Sequence, residues 1–223
     1  MITISKYNNT FLFNEDDPST LDEIFNDNYK IIEKGVPFKS NDLIIDIGAN
    51  IGMFSILYAK LHPYVKIYAC EPVAETYIRL CKNIKINNIT NIIPINTAVS
   101  GGEKIKQITY HPQGLGGASS HFNDLMVKNI EGIASIYVSC ITLDELMLSF
   151  NINECQLLKI DCEGAEYDII YNSKLLNRIN YLVGEFHENT LLRQAGHSYH
   201  KLGQYCATQV KHMLYYEFCD MHE

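Results

Sequence analysis

Five short polar clusters in this 223-residue chain carry residue types suited to binding or catalysis. They are Asp46-Ile-Gly48-Ala-Asn50-Ile-Gly52, Glu71-Pro72, Asn96-Thr97-Ala98, Asp161-Cys-Glu163 and Glu185-Phe-His187-Glu188. Gly48 and Gly52 allow a tight turn beneath a ligand and let a following helix pack close. Their spacing is neither G-x-G-x-x-G nor G-x-x-x-x-G-K-[ST], so neither a dinucleotide fingerprint nor a phosphate loop is present. Asp46 suits a ligand ammonium group better than a phosphate. Glu71 lies 25 positions further on and is placed to accept hydrogen bonds from a ribose diol.

Each cluster follows a run of apolar residues. "DLIIDI" and "LLKIDC" are short, β-branched and uniformly apolar, as in strands covered on both faces. "VKIYAC", "NIIPIN" and "YLVGEFH" read as further strands, although Pro94 is awkward for a central one. "MFSILYAKLH", "VAETYIRLCKNIKIN", "TLDELMLSF" and "GAEYDIIYNSKLL" read as the helices between them. A first helix, capped by Ser19 or Thr20, is expected to run to about Lys34, after a hairpin-like lead-in over residues 1–18. The C-terminal part reads as a helix, "SYHKLGQYCATQVK", and a last strand in "HMLYYEFCD". Strand–helix alternation predicts an α/β fold with a mostly parallel, twisted, doubly wound sheet and helices on both faces. Between residues 98 and 141 the rhythm breaks into an inserted antiparallel hairpin region around "HPQGLGGASS", a candidate lid. One domain over 1–223 is expected, with residues 1–40 as lead-in and helix. In an open parallel sheet, ligands bind beyond the carboxyl ends of the strands. The polar clusters stand at those ends. Ammonium plus ribose, without pyrophosphate, describes S-adenosylmethionine.

The net charge of −8 gives no electrostatic gain on nucleic acid, so no nucleic-acid partner is expected. Seven scattered cysteines without a CxxC pair suit reduced thiols in a cytoplasmic protein. "MITISKYNNT" lacks a basic n-region and a long apolar core, and no apolar run reaches the ~18 residues of a span. No membrane association is therefore expected.

The quoted segments, with "NTAVS", "TLDEL", "KIDCEGAEYDII" and "EFHE", resemble in order and spacing the FkbM-type methyltransferases over roughly residues 30–190. "DIGANIG" marks class I methyltransferases in general, and "KIDCEGAEYDII" is more specific. The resemblance implies a Rossmann-like class I fold with an antiparallel strand at one sheet edge. It also implies S-adenosylmethionine as cofactor and a hydroxylated acceptor, a sugar or other small metabolite. By position, Asp46, Gly48, Asn50 and Gly52 would form the first cofactor loop. Glu71 would take the ribose, with Pro72 shaping the turn. Thr97 and Ala98 would border the adenine, and Asp161 would lie near the methionine part. After Gly196 the closing strands of the family are incomplete in this sequence.

A hydroxyl benefits from losing its proton as it attacks, and His187 is the first candidate for that general base. The alternative is a histidine that only hydrogen-bonds backbone at the pocket floor. Asp161 and Glu163 are the other candidate bases, although Glu163 equally suits a helix-start acid. Lys159 reads as a strand lysine paired with an acid. A magnesium ion held by Asp161, Glu185 and His187 is a second way to activate the hydroxyl. A non-catalytic cofactor-binding or interaction module and an RNA ribose methyltransferase stand as alternative functions, and a homo-oligomer is left open.

Overall fold

The computed structural model describes residues 1–14, 30–110 and 134–220. The lead-in is a hairpin of β1 (Ile2–Lys6) and β2 (Asn9–Phe13). Tyr7 and Asn8 between them both have positive φ, 53° and 58°, as a two-residue hairpin turn requires. Helix α1 (Lys30–Gly35) follows. The expected cap at Ser19 or Thr20 lies outside the described residues.

Alternation then runs β3 (Leu43–Ile47), α2 (Met53–Leu61), β4 (Lys66–Cys70), α3 (Ala74–Ile86) and β5 (Ile92–Ile95). After the hairpin region it resumes with α4 (Leu143–Ser149), β9 (Cys155–Ile160), α5 (Glu166–Asn172), β10 (Ile179–Glu188), α6 (Thr190–Gln194), α7 (Tyr199–Gln209) and β11 (His212–Asp220). The six strands pair in the order β11-β10-β9-β3-β4-β5, every pairing parallel. From β3 the chain winds outward through β4 and β5. From β9 it winds the other way. The switch point thus falls between β3 and β9, where a doubly wound sheet opens its ligand crevice.

Two features of this sheet bear on the sequence reading. Pro94 sits in β5, an edge strand, so the N–H it lacks is missed by no neighbour. The antiparallel edge strand implied by the resemblance is not what β11 supplies. The connection from β10 carries two helices, α6 and α7, and this crossover returns β11 parallel to β10.

Side chains along the strands point in turn to the two faces. Ile44, Ile67, Leu157 and Val183 pack with α1, α2, α3 and the β1–β2 hairpin. Ile45, Tyr68, Leu158 and Leu182 pack with α4, α5 and α7 on the other face. Burial on both sides is why these strands read as continuous apolar runs. Asn83 on α3 and Asn87 at its C-cap accept from the backbone N–H groups of Asn14 and Leu12 and tie the hairpin segment to that helix.

The inserted region forms a separate three-stranded sheet, β6 (Ala98–Val99), β8 (Ala134–Ile141) and β7 (Ile105–Tyr110), with β7 and β8 antiparallel as expected. The candidate lid, residues 111–120, lies outside the described residues. Among the described residues no helix is long and apolar enough to cross a membrane.

Candidate active site

The first loop is shaped from below. Asp46 is fully buried; its Oδ2 accepts from Ser55 Oγ at 2.7 Å and its Oδ1 stands 3.3 Å from Lys159 Nζ. Lys159 also donates to the Gly48 carbonyl at 2.9 Å and stands 3.4 Å from Asp161 Oδ2. The lysine is thus paired with acids inside the sheet. Asp46 holds the loop rather than facing the crevice as an ammonium acceptor.

The glycines answer to protein contacts. Gly48 has φ +78°, and a Cβ there would sit 1.8 Å from the Asp161 carbonyl oxygen. Gly52 has φ +92°, and its Cβ would meet Leu80 Cδ1 at 2.4 Å. The first glycine therefore lets the β3 loop cross under the end of β9. The second lets α2 pack close against α3. Asn50, between them, is also left-handed at φ 50°.

Glu71 closes the same loop. Its Oε2 accepts from Asn50 N at 3.0 Å and its Oε1 from Val73 N at 2.9 Å. Burial raises its pKa to about 7, although these backbone N–H groups and Lys159 favour the charged form. Asn96 donates to the carbonyls of Glu71 and Pro72 and fixes the turn after β4. Thr97 is buried and its hydroxyl donates to the Ser139 carbonyl at 3.0 Å, which ties the proposed adenine border to β8. Ala98 packs beside Val73 in a small cluster under the three-stranded sheet.

Across the switch point the ends of β9 and β10 bring acids around one imidazole. His187 is 2% exposed. Its Nδ1 lies 3.0 Å from Glu166 Oε1, and its Nε2 lies 3.4 Å from Glu163 and 3.5 Å from Glu185. Burial lowers its pKa, but the bonds to Glu166 and Glu185 and the charge of Glu163 outweigh this and raise it to about 12. In this setting the imidazole keeps its proton, which is opposite to what a general base needs. The carboxylates of Asp161 and Glu163 are each about a quarter exposed and open to the crevice, 27% and 25%.

Glu166 is the residue that sequence reading missed. It is fully buried and accepts from Cys162 N and Gly164 N, both at 2.9 Å, besides holding His187. It is Glu166, not Glu163, that opens helix α5; Glu163 sits before it in a left-handed turn at φ 56°. The signal was the Glu-x-x-Glu spacing of 163 and 166, but sequence alone does not say which acid turns inward. The candidate metal set of Asp161, Glu185 and His187 is likewise altered: Asp161, Glu163 and His187 bring one ligand atom each within 4.8 Å of one another. A cavity of about 330 Å³ at the opposite end of the sheet, lined by Lys39, Glu154 and Lys211 among others, holds none of these residues.

A buried carboxylate thus stands at the end of β4, and an anionic rim at the ends of β9 and β10, on either side of the switch point.

Comparison with known proteins bears on this arrangement. The methyltransferase FkbM domain matches residues 46–216, more than half the chain. The 31-O-demethyl-FK506 methyltransferase FkbM of Streptomyces tacrolimicus is 26% identical over 191 residues, 74% of this chain and 73% of its own. Methyltransferase 1 of Beauveria bassiana is 24% identical over 147 residues, 60% of this chain, which spans 59% of that relative's length. The hexuronic acid methyltransferase AglP of Haloferax volcanii is 23% identical over 150 residues, 67% of this chain and 57% of its own. A solved structure, M. jannaschii TYW2 in complex with AdoMet, is 27% identical, covers 42% of this chain and 41% of its own, and has a TM-score of 0.31. With the loop at the switch point and the family match running from Asp46 to β11, the chain belongs to the FkbM-type, S-adenosylmethionine-dependent methyltransferases, a class I Rossmann-like family.

Proposed function

We propose that the chain methylates a hydroxyl oxygen of a sugar or other small metabolite. The observation that carries this reading is the contact between the two halves of the crevice. The Asp161 carbonyl packs against Gly48, so the first loop and the acidic rim form one continuous wall. S-adenosylmethionine supplies the electrophilic methyl group. Glu71 accepts from the ribose, Thr97 and Ala98 border the adenine, and Asp161 faces the methionine part. Asp46 and Lys159 keep the loop rigid beneath it. Holding an acceptor oxygen in line supplies roughly 7–11 kcal/mol of such a barrier through alignment alone.

The proton of the attacking hydroxyl goes to the carboxylate rim, Asp161 or Glu163. These groups face the crevice, whereas the imidazole of His187 is enclosed and already engaged at Nδ1. His187 orients the rim. The names of the relatives support oxygen as the acceptor atom: one acts on a 31-O-demethyl compound and another on a hexuronic acid. The net charge of −8 weighs against an RNA ribose acceptor.

Calorimetric titration with S-adenosylmethionine and S-adenosylhomocysteine, followed by methyl transfer to a panel of hydroxylated sugars, tests this. Micromolar cofactor binding and an O-methylated product are expected. Cofactor binding without transfer to any hydroxylated acceptor would favour a non-catalytic binding module. A folded sample that binds neither would overturn the proposal.

A further inference from the structure

We propose that Asp161, Glu163 and His187 bind one divalent cation, Mg²⁺ or Mn²⁺, at the mouth of the switch-point crevice. Its role in catalysis rests on the O-methyltransferase reading; its binding does not.

The ligand atoms are already gathered. One oxygen of Asp161, one of Glu163 and a ring nitrogen of His187 lie within 4.8 Å of one another. Two ligands on one Mg²⁺-sized ion at ~2.1 Å stand roughly 3 Å apart when adjacent and about 4.2 Å when opposite. The three atoms thus need only a small inward shift. Two carboxylates suit Mg²⁺ and Mn²⁺, the imidazole favours the transition ion Mn²⁺ of the two, and the set holds no thiolate to select a softer metal.

The imidazole is prepared for this on its far side. Its Nδ1 is bound to buried Glu166, which leaves Nε2 directed at Glu163 and Glu185. Metal-ligating histidines commonly hand their second nitrogen to a carboxylate in this way, which fixes the ring. Here the same carboxylate also accepts from Cys162 N and Gly164 N. Glu166 is therefore a positioning residue for the imidazole and for the turn that carries Glu163.

The balance of charge points the same way. Among the described residues, the carboxyl groups of Asp46, Asp161, Glu163, Glu166 and Glu185 gather about Lys159 and His187, and a cation bound at Nε2 takes the place of the proton that His187 otherwise carries there. Lys159 is shared between Asp46 and Asp161. Carboxylates this close repel one another, and a divalent ion among them relieves that repulsion. It would sit beside the loop that takes the methyl donor, where it can polarise an acceptor hydroxyl.

The test uses the full chain, stripped with chelator and dialysed. Mn²⁺ uptake is followed by the loss of the free-ion electron paramagnetic resonance signal, and Mg²⁺ binding by calorimetry, both without cofactor. One ion per chain is expected. Glu163→Gln, in a partly exposed turn, should weaken uptake at least tenfold while leaving the thermal transition in place. Asp161→Asn should do the same, and Glu166→Gln should weaken it less. No uptake at millimolar Mn²⁺, several weak ions per chain, or wild-type affinity in Glu163→Gln would each overturn the site. Titration with S-adenosylmethionine in chelator runs alongside. Cofactor binding without Mn²⁺ uptake sinks the cation site alone. Mn²⁺ uptake without cofactor binding sinks the methyltransferase reading alone.

Discussion

The two halves of the crevice are built from different materials. At the ends of β3 and β4 the wall is backbone: Gly48, Asn50 and Gly52 in left-handed conformations, with Glu71 accepting from main-chain N–H groups. At the ends of β9 and β10 the wall is side chain, a ring of acids held about one buried histidine. A backbone wall has one shape and tolerates no added atom. A side-chain wall is adjustable and depends on protonation and bound ions. The first half should therefore fail through sterics, and the second through charge.

The largest effect separating them is expected at Gly48. Gly48→Val places a branched side chain at φ +78° against a backbone carbonyl that cannot give way. A loss of more than about 3 kcal/mol is expected, with cofactor binding abolished, read by denaturant unfolding and calorimetry. Near-wild-type stability would mean that the loop does not cross β9 as described.

Next is the buried anchor of the other half. Glu166→Ala removes the partner of His187 Nδ1 and the acceptor of the Cys162 and Gly164 N–H groups, so a cost of about 3–5 kcal/mol is expected in the same unfolding measurement. A cost below about 1 kcal/mol would show that the acidic wall holds itself together without Glu166.

Glu71 tests where charge enters the backbone half. Glu71→Ala should weaken cofactor binding by roughly 10- to 100-fold, the worth of a hydrogen bond to a charged group. Burial raises this carboxyl from an ordinary 4.5 to about 7 in the folded chain, so the folded state holds the extra proton between those values. Its contribution to stability therefore declines as pH rises from about 4.5 to 7. Cofactor affinity should move the other way, because a ribose diol donates to the ionised carboxylate. An increase of about tenfold from pH 6 to pH 8 is expected, absent in Glu71→Gln. A flat wild-type profile would remove Glu71 from the ribose site.

The smallest effect serves as a control outside both halves. Thr142 caps α4 through a reciprocal box with Glu145. Thr142→Ala should cost about 1 kcal/mol of stability and leave cofactor affinity unchanged. A change in affinity would couple α4 to the crevice.

Much of this was readable in one dimension. Parallel strands buried on both faces carry their signature in composition, so "DLIIDI", "KIYAC" and "LLKI" declared the sheet, and Pro94, awkward for a central strand, falls on its edge. Polar residues marked the carboxyl ends of the strands, which the sheet gathers on either side of the switch point. Gly48 and Gly52 were legible as glycines that something must approach, because a missing Cβ is a local property. What approaches them was not legible: the Asp161 carbonyl and the Leu80 side chain come from positions remote in sequence. The acids were harder still. Glu163 and Glu166 differ in the sequence only by three positions, yet one faces the crevice and the other is sealed beneath it. His187 read as a base because an isolated imidazole titrates near neutrality, and its three carboxylate neighbours reverse that. The parallel pairing of β11 likewise depended on the crossover through α6 and α7. The sequence by itself determined the period of burial, the strand ends and the backbone freedom at the first loop, since these depend on neighbours along the chain. Only the tertiary structure decided which charges meet, since electrostatic energy depends on distances in space and on the water excluded between them.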